Sequence, residues 1–209
     1  MPAVTPTPKD VLLVVDVQND FVSGSVAIPD AMAVIPVINR LSIRFNHVVF
    51  TQDWHPRGHV SFASSHRGTR PGDTVATQYG EQILYADHCL QGESGADLAS
   101  GLDLRNAVLR LHKGCRIDVD SYSAFTENDG RTTTGLGAYL QARGIERVFA
   151  TGLALYGCVR HSSLDALKAG FSAFIIDDAC RARSSPSDST HASELLQAGV
   201  TRLLATDLI

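Results

Sequence analysis

Three side chains far apart in this 209-residue sequence, Asp16, Lys113 and Cys158, have the chemistry of a base, a cation and a nucleophile. Cys158 follows Thr151-Gly152-Leu153-Ala154-Leu155-Tyr156-Gly157, where a β-branched apolar segment passes through two glycines into a run with helical spacing. A thiol at such a junction faces unpaired backbone N–H groups and the positive end of a helix dipole, which favour the thiolate and can hold an oxyanion. Each residue alone has a plainer reading: a small buried cysteine, a carboxylate capping the amides of Gln18 or Asn19, a solvated lysine. Together they are more telling, because an activated thiol needs a base within hydrogen-bond reach and a cation favours its thiolate.

A second group suits a metal. Asp53 and His55 are two residues apart at a strand end, so an extended backbone points carboxylate and imidazole to one side. His88, in Tyr85-Ala86-Asp87-His88-Cys89, supplies a third ligand and leaves positions open for water or substrate. His59 is a candidate fourth ligand or an outer partner that orients the others. Imidazole and carboxylate suit one divalent ion, zinc foremost, with manganese and iron as alternatives. The plainer reading is a set of loop histidines bonded to backbone or water. Cys89 reads as a buried bystander, and His47, His66, His112, His161 and His191 as structural or surface residues.

These groups sit where elements end. Short apolar runs at Val11–Val15, His47–Thr51, Ala107–Leu111, Arg147–Thr151, Ser172–Ile176 and Arg202–Thr206 predict six strands. Helical spacing covers about Ala33–Phe45, Leu136–Arg143, Cys158–Ala169 and Ser189–Ala198, with Gly144, Gly170 and Gly199 placed as terminating glycines. Continuous apolar strands need both faces buried, so the expected fold is α/β: a three-layer α/β/α sandwich around a six-stranded, mainly parallel sheet. In such sheets ligands bind beyond the carboxyl ends of the strands, where Asp16, Asp53, Lys113 and Cys158 all fall. One domain is expected over residues 1–209, with 1–9 a flexible lead-in. The stretch 54–104, rich in Gly, Ser, His and Asp, reads as a long functional loop region carrying metal ligands and pocket residues.

Composition narrows the function. With 44% hydrophobic residues and a net charge of -4, the chain has a globular composition and no basic footprint for nucleic acid. It has neither the apolar run of a membrane span nor the n- and h-regions of a signal peptide, so a cytoplasmic location is expected. Cys89, Cys115, Cys158 and Cys180 lack C-x-x-C spacing and read as free thiols. A small-molecule substrate is the expected partner, neither nucleic acid nor membrane, and self-association into a homo-oligomer is left open.

Several segments together resemble a known family. They are Asp16-Val17-Gln18-Asn19-Asp20-Phe21, Thr51-Gln52-Asp53-Trp54-His55-Pro56, His59-Val60-Ser61-Phe62-Ala63, Asp87-His88-Cys89, Lys113-Gly114, Asp120-Ser121-Tyr122-Ser123-Ala124-Phe125, Gly152-Leu153-Ala154 and Cys158-Val159. The chain is similar to the isochorismatase-like cysteine hydrolases, and within them to the nicotinamidase/pyrazinamidase branch. The resemblance implies a metal-dependent nicotinamide amidohydrolase of NAD salvage, working through a Cys158 thioester. By it Asp16 is the base, Cys158 the nucleophile, and Lys113 the group that orients Asp16 and stabilises the thiolate. It further implies an oxyanion hole from the backbone amides of Ala154 and Cys158, beside a cis Leu153–Ala154 bond. The metal at Asp53, His55 and His88 would bind the pyridine nitrogen. Phe21 and Tyr85 would sandwich the ring, with Leu153 and Tyr122 also at the substrate. The chain departs from the branch at Leu155-Tyr156-Gly157, where a polar run is common, and this bears on the pocket wall and the preferred amide. Two alternatives compete: a sibling cysteine amidohydrolase or isochorismatase-like hydrolase acting on another small amide, and a non-catalytic redox or ligand-binding protein that uses Cys158.

Overall fold

Six of the apolar runs pair into one sheet in the computed structural model, which describes residues 4–183 and 185–208. In chain order the strands are β1 (Asp10–Val15), β2 (His47–Asp53), β3 (Thr74–Thr77), β4 (Gly80–Ile83), β5 (Ala107–Lys113), β6 (Arg147–Leu153), β7 (Ser172–Arg181) and β8 (Thr201–Leu203). The helices are α1 (Asn19–Val22), α2 (Val34–Ser42), α3 (Leu136–Ala142), α4 (Arg160–Lys168) and α5 (Asp188–Ala198). The main sheet runs β5-β2-β1-β6-β7-β8, and every neighbouring pair is parallel.

β1 shows why both faces must be covered. Its alternate residues divide between two cores: Val11, Leu13 and Val15 pack with Leu136, Leu140, Val159 and Leu195, while Leu12 and Val14 pack with Val34, Ile38 and Leu41. Helices α3, α4 and α5 therefore cover one face and α2 the other, giving the expected three-layer sandwich. From β1 the chain adds β2 and β5 on one side, then returns to place β6 on the other. Such a reversal opens a crevice at the strands' carboxyl ends, and Asp16 and Cys158 follow the two strands that flank it.

Several expected boundaries shift. The strands β2, β5 and β6 each run two residues further, through Asp53, Lys113 and Leu153, because pairing with neighbours carries polar residues into the ladder. The last strand stops at Leu203 rather than Thr206, since the Asp207 carboxylate accepts the Leu204 amide at 2.7 Å and starts a 3₁₀ turn. Within 54–104 the chain forms the antiparallel hairpin β3–β4, whose mostly exposed faces left no apolar alternation to read. Of the lead-in expected to be flexible, residues 4–9 are instead tied to the body. The Val4 amide donates to the Asp207 carbonyl at 2.8 Å, and Arg147 donates to the Thr5 carbonyl. Residues 1–3 lie outside the described residues. The four cysteines are free. Among the described residues, no helix is long and apolar enough to cross a membrane.

Candidate active site

Asp16 leaves β1 with φ at +49° and is fully buried. Its Oδ1 accepts a 2.6 Å hydrogen bond from the Thr51 hydroxyl, which in turn accepts from the Asp16 amide at 3.2 Å. Its Oδ2 lies 2.9 Å from Lys113 Nζ but takes no well-directed hydrogen bond. Burial lifts the Asp16 carboxyl to about 6, against the pull of Lys113 and Thr51.

Lys113, at the end of β5, is buried and gathers the site. Its Nζ donates to Asp53 Oδ1 at 2.5 Å and to the Ser121 carbonyl at 2.7 Å, and lies 3.5 Å from Cys158 Sγ. Burial disfavours its charge, but Asp16, Asp53 and Cys158 outweigh this and keep the ammonium protonated. Oxygens of Asp16 and Asp53 and the Cys158 sulfur all lie within 4.8 Å of one another. The three strand ends thus bring a carboxylate, an ammonium and a thiol together.

The thiol's protonation differs from expectation. Burial pushes Cys158 well above the ordinary thiol value, and the attraction of Lys113 does not offset it. The helix that should lower it starts only at Arg160, because Leu155–Val159 forms one wide turn broken at Gly157. The upward shift favours the protonated thiol, and an Asp16 carboxylate oxygen lies within 4.8 Å of the sulfur. The expected cis bond is present between Leu153 and Ala154. Ala154 and Cys158 both line the cavity.

Asp53, His55 and His88 form a second buried cluster, with one ligand atom from each within 4.8 Å of the others. His55 Nε2 stands 3.7 Å from Asp53 Oδ2. Two ligands at about 2.1 Å from a tetrahedral ion lie roughly 3.4 Å apart, so the gap fits a zinc-sized cation. Both imidazoles are oriented through the other nitrogen: Nδ1 of His55 meets the Gly114 carbonyl at 2.9 Å, and Nδ1 of His88 the Ala86 carbonyl at 2.8 Å. Donation there leaves Nε2 free to ligate. Burial opposes charge on Asp53, but Lys113 and His55 hold its carboxyl well below the usual range. Burial opposes charge on His55, but Asp53 outweighs it and raises His55, while burial and that charge lower His88; a bound cation would have to displace the His55 proton, since both imidazoles must be neutral to ligate. Gly114 makes room for this: at φ +62° a Cβ would fall 2.5 Å from His55 Cε1. His59 stacks on His55 at 4.2 Å, bonds Ser61 and Val119, and groups with His55 and Asp120 rather than with Asp53 and His88.

Both clusters reach one cavity of about 440 Å³, the first through Cys158 alone and the second through Asp53, His55 and His88, while Asp16 and Lys113 do not line it. Phe21 and Tyr85 lie edge-on to His88 at 5.6 and 5.8 Å, and the Tyr85 hydroxyl is 3.2 Å from that of Tyr122. All three line the cavity, but Leu153 does not. Leu153 is fully buried in the core beside α2, because a residue on β6 that leaves the strand end late points into a layer. Of the unusual Leu155-Tyr156-Gly157 run, Leu155 packs into the core, while Tyr156 and Gly157 form cavity wall. Sequence reasoning missed His161 and His191, which also line it. His161 could have been found from its place one helical turn beyond Cys158, whereas nothing in the spacing singles out His191. Thr51 was missed as well. Thr51→Val is expected to lower kcat roughly tenfold by freeing the Asp16 carboxylate, with KM nearly unchanged and Thr51→Ser restoring the rate; steady-state kinetics check this.

The fold defines the class first: a three-layer α/β/α sandwich whose parallel strand ends bring a carboxylate, a lysine and a thiol to one crevice, shared with hydrolases that act on amide C–N bonds. More narrowly, the chain belongs to the isochorismatase family, whose domain matches residues 10–207. It is 45% identical over 200 residues to a nicotinamidase from Acinetobacter baylyi, covering 95% of this chain and 94% of that one. A solved nicotinamidase pyrazinamidase from Acinetobacter baumanii superposes with a TM-score of 0.94 at 43% identity, over 96% of this chain and 98% of that one. A pyrazinamidase from Pyrococcus horikoshii, solved in complex with zinc, superposes with a TM-score of 0.76 at 29% identity, over 94% of this chain and 99% of that one.

Proposed function

We propose that this chain hydrolyses nicotinamide to nicotinate and ammonia, with one divalent metal, zinc foremost, at Asp53, His55 and His88. The observation that carries the reading is Lys113: one buried ammonium touches Asp16, Asp53 and Cys158, joining a nucleophile and its base to the metal cluster around one cavity. Asp53, His55 and His88 would hold the metal, which would supply a Lewis-acid anchor for a pyridine nitrogen.

Asp16 takes the Cys158 proton as the sulfur attacks the carboxamide carbon. The resulting oxyanion accepts hydrogen bonds from the Ala154 and Cys158 amides. Collapse breaks the C–N bond, and Asp16 returns its proton to the departing nitrogen, which leaves as ammonia. A thioester on Cys158 remains. Water, deprotonated by Asp16, then attacks it, giving nicotinate and restoring the thiol. Lys113 stays protonated throughout and holds the two carboxylates and the developing thiolate in place. Phe21, Tyr85 and Tyr122 flank the ring.

Ammonia release from nicotinamide by the zinc-loaded chain is the test. Release is expected, and its absence, with release from another small amide, would transfer the site to a sibling amidohydrolase. His55→Ala is expected to abolish stoichiometric zinc binding and raise KM by about tenfold or more while the fold persists. Metal analysis, kinetics and circular dichroism check the three parts.

A further inference from the structure

The segment that begins at Asp16 ends at Asp20, a carboxylate to which the mechanism above gives nothing to do. We propose that Asp20 is a positioning residue for the metal site, holding the turn that presents His88. This rests on the reading that Asp53, His55 and His88 bind the metal.

Asp20 Oδ2 accepts the Cys89 amide at 2.8 Å, and Oδ1 the Ser25 amide at 3.3 Å. Cys89, directly after His88, has φ at +47°, a conformation that side chains larger than glycine's adopt rarely and that needs outside support. Support comes to the same residue from both sides. Its amide is held by Asp20, and its carbonyl accepts the His55 amide at 2.9 Å. The turn is thus fixed between Asp20 and another metal ligand.

Two glycines pack against Asp20, and one of them marks the carboxylate's place. A Cβ on Gly24 would fall 2.2 Å from Asp20 Oδ1, and one on Gly95 would fall 2.1 Å from Oδ2. Neither glycine has the positive φ that would itself require glycine. Gly95 leaves space for the Asp20 carboxylate alone, whereas a Cβ on Gly24 would also meet the Asp20 backbone Cα at 2.7 Å. Gln18, two residues earlier, clamps the backbone of Asp53: its Nε2 donates to the Asp53 carbonyl and its Oε1 accepts the Asp53 amide, each at 2.8 Å. Alternate residues of one short segment therefore serve the base, one metal ligand and the turn of another.

The test is zinc affinity of the full chain, measured by competition with a chelator, together with thermal melts of the metal-stripped protein and kcat at limiting and added zinc. Asp20→Ala and Asp20→Ser are expected to weaken zinc binding by about tenfold or more, the range seen when outer partners of metal ligands are removed. Asp20→Asn, whose amide oxygen can still accept from the Cys89 amide although its NH2 then faces the Ser25 amide, should lose less than Ala or Ser. In Asp20→Ala and Asp20→Ser, kcat should rise with added zinc from its value at limiting zinc, as expected when the defect lies in holding the metal. A folded Asp20→Ala with wild-type affinity overturns the inference; if that variant does not fold, Asp20→Ser decides in the same way. Asn losing as much as Ala also counts against it, since the proposal rests on the accepted hydrogen bond. If the unmodified chain binds no zinc, or His55→Ala binds it as tightly, the metal reading itself fails and Asp20's role falls with it.

Discussion

Asp16→Asn is expected to lower kcat by roughly a thousandfold, within the span seen when a positioned base is lost. Asparagine matches the shape and can still accept from Thr51, but it cannot take the thiol proton. That proton is held firmly, because burial puts Cys158 well above the ordinary thiol value. The variant should keep its fold and its metal, as circular dichroism and metal analysis would show. Asp16 must also be ionised to act. Burial raises its carboxyl to about 6, so wild-type kcat/KM should fall as pH drops through that region and the proton fills Oδ2. A near-normal kcat in the variant would remove Asp16 from the base role.

Lys113→Met should cost both activity and stability. The lysine is 2% exposed and compensates two buried carboxylates, with the thiol 3.5 Å away. Methionine fills most of the volume but leaves Asp16 and Asp53 uncompensated in a low-dielectric site. Breaking one side of such a buried arrangement costs about 3–5 kcal/mol. For a chain of this size that is a Tm lower by on the order of 10 °C in the metal-stripped protein. Zinc, by neutralising Asp53, should recover part of the loss but not the rate. An unchanged melt would mean that the two carboxylates are not charged together, and the electrostatic account of the site would be wrong.

The site's chemistry was more legible than its wiring. Asp16, Lys113 and Cys158 were readable because each stands just beyond or at the end of an apolar run, and a parallel sheet gathers such ends on one edge. The Asp53 and His55 pair was readable from its spacing of two. Thr51 was not, since a threonine inside a strand looks like any β-branched filler until register sets it beside Asp16. Leu153 erred the other way: next to pocket residues in sequence, it points into the core.

By itself, then, the sequence determined the layers and the inventory of reactive groups, because apolar periodicity and residue type are local properties of the chain. Tertiary structure alone decided which groups share a charge. Lys113 reaches Asp16, Asp53 and Cys158 only because β5, β2, β1 and β6 lie in that order. It also decided the thiol's titration, since burial, which no local pattern reports, outweighs the nearby cation and raises Cys158 above the ordinary thiol value.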